Sequence, residues 1–227
     1  GPVISKADIF TRAAPATVLL IATHESKWQS ALGTVVNPQG VVVSDTRLLG
    51  SVERGQVFAF LYDQSLSGNE DPLLFLNANR SKALPVQVVR SDPQTHLLML
   101  QLPSPQPKQP YKYLDLYDSR TATIGVDAVA LRTRGHQTVA IMSATVAAMR
   151  ADMIELEPEL TVENAGAPIL TMSGRLVGVA TFADKSASGQ GRPVEMIKDL
   201  LAGKLGATPV VPTGPAAPEV ATESRNA

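Results

Sequence analysis

Three histidines are the only side chains of this sequence that titrate readily near neutral pH, because the chain has no cysteine. They are His24, His96 and His136. An imidazole can take a proton from a nucleophile or bind a transition metal. The absence of cysteine excludes disulfides and thiolate metal ligands. A relocated catalytic triad or an imidazole-ligated metal site in this chain would therefore have to use at least one of these histidines.

The spacing of the three histidines does not favour a metal site. No two of them are separated as on a helix face or across a hairpin, and no nearby carboxylate completes a ligand set. His24 ends a strand-like run and His136 lies in the loop TRGHQT, so we expect both at the surface. We predict no cofactor. A transition-metal-binding module that uses surface histidines remains an alternative.

Three separated stretches each pair a turn of small or polar residues with an apolar strand. They read ALGTVVNPQGVVVSDTRLL at 31–49, SDPQTHLLMLQL at 91–102 and VENAGAPILTMSGRLVGVAT at 162–181. In this order they resemble the active-site segments of the trypsin-like serine proteases, most closely the bacterial HtrA/Deg branch. The resemblance extends over about residues 7–205. It implies an all-β fold of two six-stranded β-barrels with short N-terminal and C-terminal helices.

The resemblance places three unusual residues at the catalytic positions. Arg47 falls where the family has its histidine, His96 where it has its aspartate, and Ala165 where it has its serine. Acyl transfer by this machinery needs a hydroxyl nucleophile, an imidazole base and a carboxylate that orients the base. Ala165 has only a methyl group, Arg47 stays protonated, and His96 is not an anion. The resemblance therefore implies a degenerate triad and a pseudoprotease.

The loop that stabilises the oxyanion in the family is also altered. Around Asn164, the family's Gly-Asn-Ser-Gly-Gly loop has Glu163 in place of its first glycine and Ala167 in place of its last. The first glycine offers its backbone N–H to the developing charge, which a carboxylate beside it would repel. Glu163 is also a candidate ion-pair partner for Arg47 across the former cleft. These changes imply that the oxyanion loop is degenerate together with the triad.

Composition excludes several other classes of protein. The net charge is −1 and aromatic residues make up 4% of the chain, so a nucleic-acid stacking surface is not expected. No apolar run reaches the roughly 18 residues that a membrane-spanning helix needs. A membrane tether is possible outside this sequence. The resemblance to HtrA proteases implies an extracytoplasmic location, either periplasmic or membrane-tethered.

Most of the chain has the pattern of short strands, which favours an all-β barrel or sandwich. Asn37-Pro38-Gln39-Gly40 is typical of a type I turn between two Val-rich strands. A helix is predicted in ISKADIFTRAAP, capped by Ser5, and another over 193–206, ending before Gly206. Strands are further predicted at 16–24, 33–45, 56–63, 72–77, 84–91, 96–102, 126–133, 138–149, 153–158, 168–173 and 175–181.

The domain organisation follows from changes in composition along the chain. Residues 1–2, Gly-Pro, look like the remainder of a removed tag. Residues 3–206 are predicted to form one trypsin-like domain. Residues 207–227 are rich in proline and small residues without periodicity, which predicts a flexible tail or linker.

The function expected from these observations is binding rather than catalysis. A trypsin-like fold without its triad is expected to act as a scaffold, adaptor or regulatory module for a protein or peptide partner, whose identity the sequence does not indicate. Arg47 could be a solvated charge or a cation that binds a carboxylate of that partner. The alternative is a hydrolase with unconventional active-site residues. A relocated triad would have to use one of the three histidines.

Overall fold

The computed structural model of the chain describes residues 2–50, 55–63, 65–66, 68, 71–117, 122–134, 138–183, 188–205 and 208–209. His136 and most of the predicted tail lie outside these ranges. Strands dominate the described residues and close into two antiparallel barrels. None of the described helices is long and apolar enough to cross a bilayer.

The first helix, α1, spans Lys6–Ala13, as the sequence predicts. The hydroxyl of Ser5 accepts a hydrogen bond from the Asp8 backbone N–H at 3.1 Å, which caps the helix. Ile9 and Ala13 face the core. A 3-10 turn over Ala14–Ala16 follows, with Pro15 at its start, and leads into the first barrel.

The first barrel has six strands in the order β5-β4-β1-β2-β3-β6, and pairing of β5 with β6 closes it. The predicted turn at 37–40 joins β2 to β3, and the side-chain oxygen of Asn37 accepts from the backbone N–H groups of Gln39 and Val41. The strands are β1 Thr17–His24, β2 Lys27–Val35, β3 Val41–Asp45, β4 Gln56–Leu61, β5 Leu84–Asp92 and β6 Leu97–Gln101.

The second barrel closes in the order β10-β11-β12-β9-β8-β7. Its strands are β7 Asp127–Arg134, β8 Thr138–Arg150, β9 Met153–Glu157, β10 Pro168–Thr171, β11 Leu176–Thr181 and β12 Gln190–Pro193. The helix α3, Val194–Leu201, follows β12, and a short strand β13, Thr208–Pro209, pairs with β5 of the first barrel. The two six-stranded barrels confirm the fold class expected from the sequence.

The predicted strand at 72–77 is wrong, because this segment is the helix α2, Pro72–Ala78. The side chain of Asp71 accepts hydrogen bonds from the backbone N–H groups of Leu73 and Leu74, and proline occupies the first turn. Phe75 and Leu76 are buried while Leu74 is exposed, which is the burial pattern of a helix. Helices are therefore not confined to the ends of the domain.

Two element boundaries and one strand also differ from the sequence-based predictions. β2 begins at Lys27 rather than at 33. A tight turn, with Glu25 in the left-handed conformation, joins β1 to β2, so that the polar first half of β2 pairs with β1. The helix predicted over 193–206 ends at Leu201, and Gly203 has the positive φ typical of a helix end; Gly206 lies outside the described residues. The strand β12 was not predicted, because Gly and Pro flank its arginine.

The side chain of Lys82, which follows α2, binds the carboxylate of Asp63, which follows β4, at 2.8 Å. This hydrogen bond, with others from Ser65, lowers the pKa of Asp63 from 3.8 to about 2. A carboxyl group whose pKa falls on folding stabilises the fold at pH values above its unfolded pKa, and this stabilisation is lost as the pH falls through about 2.

In Lys82→Met we expect the pKa of Asp63, measured by NMR titration, to move back toward 3.8. An unchanged titration would show that Lys82 does not cause the shift.

Candidate functional site

The segments that carry the three expected site residues meet between the two barrels. Arg47 lies in a 3-10 turn over Thr46–Leu48 directly after β3, and His96 lies directly before β6. The backbone N–H of Thr46 donates to the His96 carbonyl at 2.9 Å, so these two segments of the first barrel are adjacent. Ala165 comes from the second barrel, and its carbonyl accepts from the Leu32 N–H on β2 at 2.8 Å. The fold thus assembles the segments as the resemblance implies.

Ala165 offers no group that could react. Its side chain is a methyl group, and the residue is 1% exposed within the hydrophobic core. Its backbone N–H donates to the carbonyl of Val162 at 3.2 Å. In a protease with its nucleophile at this position, the same backbone N–H would donate to the developing oxyanion. Here it is bonded within the loop instead.

Glu163 binds a different arginine from the one the sequence suggested. It lies within the 3-10 turn Val162–Asn164, and its carboxylate contacts the guanidinium of Arg132 on β7 at 3.5 Å. Both side chains are partly exposed, so this ion pair contributes little stability. The candidate pairing of Glu163 with Arg47 is therefore wrong, because β7 places Arg132 beside the loop and Glu163 pairs with Arg132 instead.

Asn164 fixes the shape of the loop from inside. Its side chain is fully buried, donates to the Leu131 carbonyl at 2.8 Å and accepts from the Thr161 backbone N–H at 3.0 Å. The Asn164 backbone N–H in turn donates to the Thr161 carbonyl at 2.8 Å. Ala167, also buried, donates its N–H to the Asn164 carbonyl at 2.8 Å. These bonds hold the loop in one conformation without a ligand.

Gly166 allows the loop to approach β2 closely. Its φ is +77°, a conformation that favours glycine, and a Cβ placed there would overlap the Leu32 carbonyl oxygen and lie 2.5 Å from Ser44 Oγ. The Gly166 carbonyl accepts from the Thr34 hydroxyl at 3.1 Å, and its N–H donates to the Ala180 carbonyl at 2.9 Å. The glycine of the family loop is thus retained where packing between the barrels requires it.

A buried carboxylate that the sequence analysis missed joins the barrels at this site. Asp45, at the end of β3, is 0% exposed. One carboxylate oxygen accepts from the Arg47 backbone N–H at 2.7 Å, and the other accepts from the Phe182 N–H, in the second barrel, at 2.6 Å. A buried carboxylate needs such donors to offset the loss of water. In the sequence, the signal for a buried carboxylate was the position of Asp45 at the end of the apolar run VVVSD.

Arg192 on β12 is the second buried charge that the sequence analysis missed. Its guanidinium donates to the Thr95 carbonyl in the first barrel and to the Asp152 carbonyl in the second, each at 2.9 Å. Burial lowers the pKa of Arg192, while the negative charges of Asp152, Asp92 and Asp45 oppose this shift. Arg192 and Asp45 are therefore two buried charged residues that each connect the barrels by hydrogen bonds.

Arg47 and His96 are half-buried, and His96 has a left-handed φ of 60°. Among the residues that the structure describes, neither side chain makes an ion pair or a hydrogen bond. The guanidinium of Arg47 therefore keeps its donors available for an anionic group from outside the described chain.

The histidines do not converge on a common point in the described structure. His24 is exposed at the end of β1, His96 lies between the barrels, and His136 is outside the described residues. Among the described residues there is no group of three or more His, Asp or Glu side chains placed to hold a metal ion.

Comparison with known sequences identifies the family. The sequence model of the trypsin-like peptidase domain matches residues 31–179 of the 227-residue chain. A comparison with curated proteins found no match. The matched region runs from within β2 to within β11 and includes Arg47, His96 and Ala165. The chain therefore belongs to the trypsin-like peptidase domain family.

Proposed function

We propose that this protein is a catalytically inactive pseudoprotease of the HtrA/Deg-like branch that acts as a protein-binding scaffold, adaptor or regulatory module. The single observation that carries this proposal is the environment of Ala165. The position of the nucleophile has a buried methyl group, and the N–H beside it is bonded to Val162. Acyl transfer needs both a nucleophile and free oxyanion donors there.

The two other positions support the same proposal. Arg47 cannot accept a proton at physiological pH, and His96 cannot orient and stabilise an imidazolium as a carboxylate does. Asp45, a buried carboxylate two residues from Arg47, accepts the Arg47 N–H and, across the barrel interface, the Phe182 N–H, which is a structural role. The local chemistry thus favours a stable framework over a reaction centre.

The proposed partner is a protein or peptide, and Arg47 is the proposed contact for one of its carboxylates. A guanidinium binds carboxylates in bidentate geometry, and the side chain of Arg47 has no partner among the described residues. We further propose an extracytoplasmic location, in keeping with the HtrA-like sequence pattern.

Restoring the serine alone should not restore an enzyme. In Ala165→Ser the new hydroxyl has no base, because Arg47 is protonated, so we expect no labelling by a fluorophosphonate probe at an enzyme-like rate. Labelling of this variant as fast as a trypsin control would contradict the proposal, because it would reveal a base that the account lacks.

Restoring the triad should also be insufficient. In Arg47→His, His96→Asp, Ala165→Ser, the loop would still carry Glu163 and Ala167, and loss of one oxyanion donor costs about 10²–10³ in rate. Measurable ester hydrolysis is expected only after Glu163→Gly and Ala167→Gly are added. Equal turnover by the triple and quintuple variants would show that the loop backbone is not limiting.

The binding function is tested by quantitative co-purification from cells of the source organism. We expect the natural chain to retain a specific protein, Arg47→Glu to lose it, and Arg12→Glu, on the exposed side of α1, to keep it. If Arg47→Glu retained the partner protein at the level of the natural chain, Arg47 would not belong to the interface. Failure of the natural chain to retain any protein specifically would argue against the scaffold function.

A further inference from the structure

The short strand β13 lies on an edge of β5 that no other described strand occupies. Its two residues pair with Ser91 and Arg90 of β5. On the other edge of β5 the same two residues pair with β6, while the described pairing of β4 with β5 covers only Leu84–Val86. β13 therefore adds a strand to the first barrel where β4 does not reach.

The side chain of Arg90 binds the end of α3 beside this added strand. Its Nη1 donates to the Leu200 carbonyl at 2.7 Å. The guanidinium also lies against Gly203, where a Cβ would come within 2.9 Å of Nη1. The last carbonyls of a helix lack intrahelical partners, so a cation is favourable there. Because α3 directly follows β12, the contacts of α3 and β13 connect the second barrel to the edge of β5.

The edge of β5 that holds β13 leads directly into the turn before His96. Asp92 follows Ser91 and is 2% exposed, and its carboxylate accepts from the Thr95 hydroxyl at 2.6 Å and from the Thr95 N–H at 3.3 Å. The Thr95 carbonyl accepts from Nε of Arg192 in the second barrel at 2.9 Å. The turn Asp92–Thr95 is therefore held at its start by β5 and at its end by the second barrel.

The end of this turn supports both His96 and Arg47. The His96 carbonyl accepts from the N–H of Thr46, the residue before Arg47, at 2.9 Å. The φ of His96 is 60°, a conformation that a residue other than glycine keeps only where its surroundings hold it. A change at the end of β5 would therefore reach His96 and Arg47 through consecutive backbone contacts.

We propose that the edge of β5 at Arg90–Ser91 is an effector site whose resident ligand is β13, and that docking of β13 there holds the turn Asp92–Thr95 and, through it, the positions of Arg47 and His96. The pairing is two residues long, so its release breaks few hydrogen bonds. The chain thus has a docked state and a released state, and any partner that binds only the released C-terminal residues favours the second. The coupling lies within the chain and does not depend on the proposed scaffold function.

The test compares two truncated chains by NMR, without any partner. Removal of residues 206–227 deletes β13, whereas removal of residues 210–227 keeps it and is the matched control. We expect the first truncation to shift the ring signals of His96 and to speed hydrogen exchange of the Thr46 N–H at least about tenfold. The second truncation should leave both unchanged. Unchanged His96 signals and Thr46 exchange after removal of residues 206–227 would overturn the proposal.

Two internal controls separate this coupling from a general loss of stability. His24, exposed at the end of β1, should keep its ring signals, and the Val36 N–H, which donates to the Val41 carbonyl at 2.9 Å, should keep its exchange rate. Equal acceleration at Val36 and Thr46 would overturn the coupling, because it would show that the whole barrel is loosened.

If the chain without residues 206–227 does not fold, the same measurements are made on Arg90→Ala in the full chain. This substitution removes the bond to the Leu200 carbonyl and keeps the backbone that pairs with β13. We expect the His96 ring signals to shift and the Thr46 N–H to exchange faster than in the natural chain. If Arg90→Ala matched the natural chain in both measurements, the proposal would be wrong.

Discussion

Gly166→Ala is expected to lower the free energy of unfolding by at least about 4 kcal/mol, enough to prevent folding of a marginally stable domain. The added Cβ would overlap the carbonyl oxygen of Leu32, a backbone atom of β2, and would also meet Ser44 Oγ at 2.5 Å. β2 is paired with β1 along its length and cannot move away alone. The measurement is denaturant unfolding followed by circular dichroism.

The matched control for this substitution is Gly125→Ala. Gly125 has a similar φ of +83°, but nothing lies within 4 Å of the position where its Cβ would be. It should therefore show only the cost of a left-handed conformation, about 1–2 kcal/mol. The difference between the two variants isolates the contact between the loop and β2. Equal losses would mean that the loop does not pack against Leu32 as described.

Arg192→Leu should lower the free energy of unfolding by about 3–5 kcal/mol. Removal of the guanidinium leaves the carbonyls of Thr95 and Asp152 without these donors and takes away a positive charge that Asp45 attracts. Buried polar groups that lose their partners bear the full cost of desolvation. Because Arg192 contacts both barrels, the loss should appear as one cooperative transition.

Arg132→Leu is the corresponding control on the same barrel. Its guanidinium lies 3.5 Å from the Glu163 carboxylate, and both side chains are more than a third exposed. An ion pair of this kind contributes about 0–1 kcal/mol. If Arg132→Leu lowered the free energy of unfolding as much as Arg192→Leu, burial would not explain why one arginine is expected to stabilise the fold more than the other.

The double-barrel fold was predictable because its signals are local. Apolar runs separated by turn residues marked most strands, and the turn at Asn37–Gly40 formed as expected. The error at α2 arose because Pro72, Leu73, Leu74, Phe75 and Leu76 form a continuous apolar run, which does not distinguish a buried strand from a helix. The capping aspartate, Asp71, was the signal that separated them.

The site was predictable only in part, since its main contacts join residues far apart in the sequence. The order of the three segments indicated that Arg47, His96 and Ala165 would belong to one region, and the fold places their segments together. The bond from Phe182 to Asp45 spans 137 positions, and that from Arg192 to Thr95 spans 97. No spacing rule connects such pairs, so the buried charges emerged only from the packing of the two barrels.

Hydrolysis of an unfolded protein by the natural chain tests the proposed loss of catalysis most directly. Purified protein is incubated with fluorescent casein, beside trypsin and beside the Arg47→Ala and His96→Ala variants. We predict no release of fluorescence above buffer from the natural chain or from either variant, because the proposed nucleophile, base and orienting positions carry Ala165, Arg47 and His96. Cleavage by the natural chain that either substitution abolishes would contradict the pseudoprotease proposal, because it would assign catalysis to residues of this chain.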